Sequence, residues 1–168
     1  MNKIYLAGGC FWGVQAYFEL LKGITKTTVG YANGTIEAPT YEQVCSNEFG
    51  FVEVVEVFYD NKISLEKILE YFIKEVDIFS FNQQGSDIGA QYRSGVYYQN
   101  QTDYKQIKTF FDSLQKKYEK KIQVEILELK NYYLAEAMHQ NYLDKNPSGY
   151  CHLDLNKISK ELNENEKK

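Results

Sequence analysis

Residues 3–13 run Lys3-Ile4-Tyr5-Leu6-Ala7-Gly8-Gly9-Cys10-Phe11-Trp12-Gly13. A short apolar β-prone run ends in two glycines, and a cysteine follows at the corner. Beyond it, Val14, Tyr17, Phe18 and Leu21 recur at helical spacing, so Cys10 falls at or just before a helix N-terminus. Unpaired backbone N–H groups and the positive end of the helix dipole stabilise an anion there. A thiolate so placed should have its pKa lowered from about 8.5 and be a good nucleophile near neutrality. Free cysteines are commonly just small buried hydrophobes. The glycines on both flanks favour the reactive reading, because they let a ligand approach the backbone closely. Phe11 and Trp12 supply a flat apolar wall beside the sulfur.

Outward from this corner, strands and helices alternate without repeats or a linker. The helix over 12–22 is ended by Gly23, and a strand covers 24–31. A loop from Ala32 to Gly50 carries Asn33-Gly34 and Pro39. The valine-rich run 51–59 is a strand closed by the turn pair Asp60-Asn61. Ser64 caps a helix through Glu75 with Leu65, Ile68, Leu69 and Phe72 on one face. A polar loop from Ser80 to Gln91 precedes a strand at 92–98. Thr102 or Asp103 begins a helix to about Glu119, Ile122–Leu129 is a further strand, and 134–144 is helical. The charged residues from about 156 to 168 are expected to fray. Two strand–helix–strand units, 3–31 and 51–98, predict one α+β domain over 1–168. Its architecture is a two-layer sandwich with a ferredoxin-like βαββαβ core, an extra strand and a C-terminal extension.

The chain has 168 residues and a net charge of −4, which disfavours nucleic acid as a partner. It has no run of eighteen apolar residues to span a membrane. The opening residues superficially match a lipoprotein signal ending in cysteine. Their apolar stretch, Ile4 to Ala7, is far shorter than such a signal needs, so a cytoplasmic protein is expected. Three cysteines, Cys10, Cys45 and Cys151, cannot close a disulfide framework and point to thiol chemistry. They include no C-x-x-C pair, and neither a metal nor a cofactor is expected.

Glu53 shares a strand face with Val55, Val57 and Tyr59, while Val52, Val54 and Phe58 point the other way. A carboxyl among such neighbours is desolvated, holds its proton toward neutrality and can serve as a general acid. The strand alone leaves this reading level with a solvent-facing Glu53 on an edge strand, as for Glu56. Asp87 and Tyr92 offer hydrogen-bonding groups near a sheet end, and Tyr41 lies in the other long loop. Among fifteen tyrosines, neither phenol is a strong signal by itself. Pro147 and Gly149 break the preceding helix and leave Cys151 in a mobile segment, where a thiol can meet an oxidised partner. His152 is a candidate base for it, although an exposed lone histidine is usually a bystander. His139 reads as a helix-face residue, and Cys45, without an electropositive neighbour, as structural.

These segments together resemble peptide methionine sulfoxide reductase A. The resemblance is carried by Gly9-Cys10-Phe11-Trp12-Gly13, Pro39-Thr40-Tyr41 through Val44-Cys45-Ser46, and Gly50 with Glu53-Val54-Val55. It continues through Gln84-Gly85-Ser86-Asp87-Ile88-Gly89, Gln91-Tyr92-Arg93-Ser94, and His139-Gln140 to Asn146-Pro147-Ser148-Gly149-Tyr150-Cys151. The resemblance implies that Cys10 attacks a sulfoxide sulfur and that Phe11 and Trp12 hold the substrate methyl group. Tyr41, Glu53, Asp87 and Tyr92 would hold the oxygen, with Glu53 its acid. Methionine would leave, and the Cys10 sulfenic acid would be resolved by Cys151 as a disulfide that thioredoxin reduces. The S epimer, free or in oxidised proteins, is the implied substrate of a monomeric enzyme.

Phe51-Val52 stands where the family usually has His-Ala, and Val76-Asp77-Ile78-Phe79 where it has His-Asp-Pro-Thr. Gln83 and Ala90 replace an arginine and a threonine, and no cysteine follows Cys151, which favours a two-cysteine cycle. A thiol peroxidase or cysteine hydrolase is the rival enzyme, and a peptide-binding module the non-enzymatic one. A hydrolase would pair Cys10 with a histidine base, and a peroxidase would have no need of the aromatic wall.

Overall fold

A computed structural model describes residues 2–168. Strand β1 (Asn2–Ala7) leads through Gly8 and Gly9 into helix α1 (Phe11–Glu19), with Cys10 as its N-cap residue. Then follow β2 (Ile24–Ala32), the short α2 (Tyr41–Cys45), β3 (Val52–Tyr59) and α3 (Leu65–Glu75). A small hairpin, β4 (Gln83–Gln84) with β5 (Asp87–Ile88), precedes a 3-10 turn at Ala90–Tyr92 and β6 (Gly95–Tyr98). The remainder is α4 (Gln101–Gln115), β7 (Glu125–Glu128), β8 (Tyr132–Leu134), a 3-10 turn at Ala137–His139, α5 (Tyr142–Lys145) and α6 (Leu155–Glu161).

The main sheet has the order β7-β6-β1-β3-β2-β8 and is antiparallel except for the parallel β6–β7 pair. It is a mixed α/β fold around a mostly antiparallel sheet. β3 therefore lies at the centre rather than at an edge. Because β1 and β3 run in opposite directions, the end of β1 and the start of β3 meet at one end of the sheet. The N-terminus of α1 and Glu53 are brought together there by topology alone.

Alternation along the strands gives two apolar surfaces. Ile4, Leu6, Val29, Tyr31, Val55, Val57 and Val96 pack beneath the helices against Phe18, Leu69, Phe72 and Phe111. Tyr5, Ala7, Ala32, Val52, Val54 and Tyr97 form a smaller cluster on the other face, covered in part by Leu129 and Tyr132. Burying each such side chain stabilises the fold by about 1.5–3 kcal/mol before chain entropy is counted.

Four expectations need correction. The 32–50 segment is not all loop, since it holds α2, capped by Thr40, whose hydroxyl accepts from the Gln43 N–H while the Gln43 side chain accepts from the Thr40 N–H. Helix α4 is capped by Asn100 rather than by Thr102 or Asp103, and it stops at Gln115. No continuous helix covers 134–144. The Gln140 side chain accepts from the Val29 N–H (2.9 Å) and donates to the Val29 carbonyl (2.8 Å), and Asn141 is left-handed at φ 52. Pairing with the edge of β2 outweighs local helical spacing there. The tail is not frayed: Ile158 and Leu162, one helical turn apart, are buried. The Lys22 N–H donates to the Glu166 carbonyl and the Lys168 N–H to the Leu20 carbonyl.

Candidate active site

Cys10 stands between two structural commitments. Its backbone opens α1, and its sulfur accepts from the backbone N–H of Trp12 and lies within electrostatic reach of the Glu53 carboxyl. Glu53, 1 % exposed, accepts from the Phe11 N–H at 3.2 Å through Oε1, while its Oε2 has no partner among the described residues. Burial is the main cause that pushes its pKa up to about 8, and one backbone N–H does not offset it. Glu53 is thus protonated at neutral pH, and its face of β3 is the helix-side face with Val55, Val57 and Tyr59.

The thiol behaves differently from the sequence expectation. Burial pushes the Cys10 pKa up, the Glu53 carboxylate pushes it further, and the Trp12 N–H lowers it only in part. The N-terminus of a nine-residue helix does not overcome desolvation. Resting Cys10 is a thiol. When Glu53 holds its proton, the repulsion between the two groups disappears and the sulfur is easier to ionise.

Tyr41 and Tyr92 come from α2 and the 3-10 turn, and their phenols lie within hydrogen-bonding reach of each other. Both feel the charge of Glu53, and both have pKa values raised chiefly by burial, Tyr92 to about 12. They stay protonated and can donate. Asp87 on the small hairpin accepts from the Tyr150 hydroxyl at 2.9 Å and acts electrostatically on Cys10, Glu53, Tyr92 and Cys151. Cys10, Glu53, Tyr41, Asp87 and Tyr92 thus form one electrostatic cluster, although β3 and two separate connections supply the last four.

An open depression of about 580 Å³ beside this cluster is lined by Trp12, Thr40, Tyr41, Glu136, His139 and Tyr142, among others. Trp12 stacks on Tyr142 with ring centres 3.8 Å apart, and its indole N–H donates to His139 Nδ1 at 3.1 Å. Phe11 is not part of that wall. It is 1 % exposed and lies against Tyr31 and His139, so it backs the wall from the core. A groove of about 610 Å³ between α3 and α4 shares no residue with the cluster.

The glycines also have a different use from the one expected. A Cβ on Gly13 would stand 2.8 Å from the Cys151 sulfur, and one on Gly9 would stand 2.7 Å from the Gln84 side chain and 3.1 Å from His152 Nε2. They make room for the C-terminal segment. Cys151 is reduced and half-buried against the first turn of α1, where the Leu153 N–H donates to its sulfur at 3.4 Å. Cys45 is half-buried within reach of Tyr41 and Gln91, at the border of the cluster. Sequence reading missed Tyr142, Tyr150 and the inward-facing His139. Only the Thr40-x-x-Gln43 capping pattern was available as a local clue to this part of the site.

The chain matches the family model described as peptide methionine sulfoxide reductase over residues 2–168. It belongs to that family. A peptide methionine sulfoxide reductase MsrA from Lachnoclostridium phytofermentans is 52% identical over 155 residues, covering 91% of this chain and 93% of the relative. The reduced form of Mxr1 from Saccharomyces cerevisiae superposes with a TM-score of 0.83 at 40% identity, over 89% of this chain and 88% of that one. Mxr1 in complex with Trx2 gives 0.54 at 28% identity, over 84% of each chain.

Proposed function

We propose that this protein is a thiol-dependent reductase of methionine S-sulfoxide, free or within oxidised proteins, recycled by thioredoxin. The observation that carries the reading is the buried, protonated Glu53 carboxyl facing the Cys10 thiol. Attack of the sulfur on a sulfoxide drives electron density onto the sulfoxide oxygen, and a proton delivered there lowers the barrier. Glu53 gives that proton and takes the one leaving the thiol. Tyr41 and Tyr92 donate hydrogen bonds to the same oxygen, Asp87 stands with them in the group around it, and Trp12, backed by Phe11, receives the methyl group.

The protonated oxygen then passes to the Cys10 sulfur as the substrate's S–O bond and the new S–S bond both break, releasing methionine and leaving Cys10 as a sulfenic acid. Cys151 attacks it, a Cys10–Cys151 disulfide forms, and water leaves. Thioredoxin reduces the disulfide by exchange, a step supported by the Trx2 complex of the yeast relative. Two reduced cysteines at one helix end fit this cycle better than they fit a hydrolase. We read the core as ferredoxin-like, a reading supported by its inner strand order β6-β1-β3-β2, and the chain as one catalytic domain.

The test is methionine formation from the separated S and R sulfoxides of a blocked methionine, with dithiothreitol as reductant. Turnover of the S epimer alone is expected, and Cys10→Ser should abolish it. Activity on neither epimer by folded protein would overturn the assignment.

A further inference from the structure

His152 is a buried imidazole that the cycle above does not use. Its side chain is only 5 % exposed, not the surface bystander its position near the C-terminus suggests. Nε2 lies 2.9 Å from the Gly8 carbonyl oxygen. A carbonyl only accepts, so Nε2 carries the hydrogen, and burial holds the ring neutral by lowering its pKa. The lone pair is therefore on Nδ1. That atom is buried and has no hydrogen-bond partner among the described residues. An unpaired buried acceptor costs about 1–3 kcal/mol and calls for a reason.

The reason lies beside it. The Cβ position of Gly13 is 2.8 Å from the Cys151 sulfur and 3.4 Å from His152 Nδ1, so thiol and lone pair share the space over one glycine. Burial keeps the Cys151 pKa above its ordinary value despite the Leu153 N–H at its sulfur. As the resolving nucleophile it has to lose a proton. The ionisable groups that face the imidazole are the Cys151 thiol across Gly13 and Asp87, whose Oδ2 is 4.0 Å from Nδ1 and accepts from the Tyr150 hydroxyl.

We propose that His152 is the general base that deprotonates Cys151 for its attack on oxidised Cys10. Nδ1 takes the thiol proton, and the imidazolium so formed faces the Asp87 carboxylate. The sulfur electron pair of Cys151 forms the S–S bond as the S–O bond of the sulfenic acid breaks with its pair. The departing hydroxide recovers the proton from Nδ1 and leaves as water. The oxidant is the sulfenic acid made in the first step, so the inference rests on the reading of function given above.

His152→Gln is the decisive variant. Its amide nitrogen can still donate to the Gly8 carbonyl, but it carries no basic atom. His152→Ala removes both features. The enzyme is mixed with S-sulfoxide without reductant, and two rates are read separately: the methionine burst, and the loss of sulfenic acid trappable by a 1,3-diketone. At neutral pH, disulfide formation should fall on the order of 10²-fold in His152→Gln, with trappable sulfenic acid accumulating. The deficit should shrink as pH rises into the alkaline range where Cys151 ionises without help. Parental disulfide rates in both variants would overturn the proposal. So would slowing by one constant factor at every pH, which marks a structural role. Absence of a burst in the parent protein would instead refute the assigned reaction.

Discussion

Glu53 and Glu56 lie three residues apart on β3, both buried, and they emerge on opposite faces of the sheet. Glu56 accepts from the Tyr5 hydroxyl at 2.5 Å and from the Thr28 hydroxyl at 3.0 Å, with Lys3 Nζ at 3.7 Å. Every oxygen of that carboxylate is answered. Glu53 has one backbone N–H, an unpartnered oxygen and apolar strand neighbours. One face surrounds its carboxylate with donors and uses it to join strands. The other withholds donors, and the group keeps a proton it can give away. The same side chain becomes structural or reactive according to how completely the fold satisfies it.

The contrast is broken most severely at Glu53. Glu53→Gln preserves shape and the Phe11 contact but has no proton to deliver, so kcat should fall on the order of 10²–10⁴-fold while the protein stays folded. Equal loss in Glu56→Gln, measured on folded protein, would remove the distinction.

pH reports the same difference through stability. The folded pKa of Glu53, about 8, lies above its ordinary 4.5. Its stabilising contribution is complete below about pH 4.5 and is lost as pH rises through 8, up to ~5 kcal/mol. Urea unfolding across pH 5–9 should show this slope in the parent and a flatter profile in Glu53→Gln. The rate should fall with deprotonation above about pH 8 for the same reason.

Glu56→Ala sharpens the other side. It strands the Tyr5 hydroxyl, 2 % exposed, and should lower unfolding free energy by about 3 kcal/mol while activity per folded molecule persists. A smaller effect is expected at the site's rim. Tyr41→Phe should cost about tenfold in kcat through one lost hydrogen bond to the oxygen, with little change in melting temperature.

Much of this was written locally. The β1–α1 corner follows from an apolar run, two glycines and helical spacing, and Ser64 caps α3 as its position suggests. The face shared by Glu53 with Val55 and Val57 follows from a period of two. What a strand cannot state is its neighbours. Whether β3 is central or at an edge depends on β1 and β2, and that decides whether Glu53 is buried. The direction of the Cys10 shift was lost for the same reason, since a helix end is local while desolvation is supplied by the rest of the chain. Residues 134–144 carry helical spacing, yet Gln140 finds better partners on Val29, more than a hundred positions away.

Lys168 is hydrogen-bonded to Leu20 at the far end of the helix that begins beside Cys10, and Leu21 bridges Lys167. Upstream, the Asn141 N–H is fastened to the Gln15 side chain on that same helix. The segment bearing Cys151 is consequently a bowstring, moored to that rod at both ends and held in between by His152 at the Gly8 carbonyl and Tyr150 at Asp87. It cannot swing away as a free arm does. To present the sulfur bridge to a reductant it bows outward by parting those middle contacts while the end moorings hold.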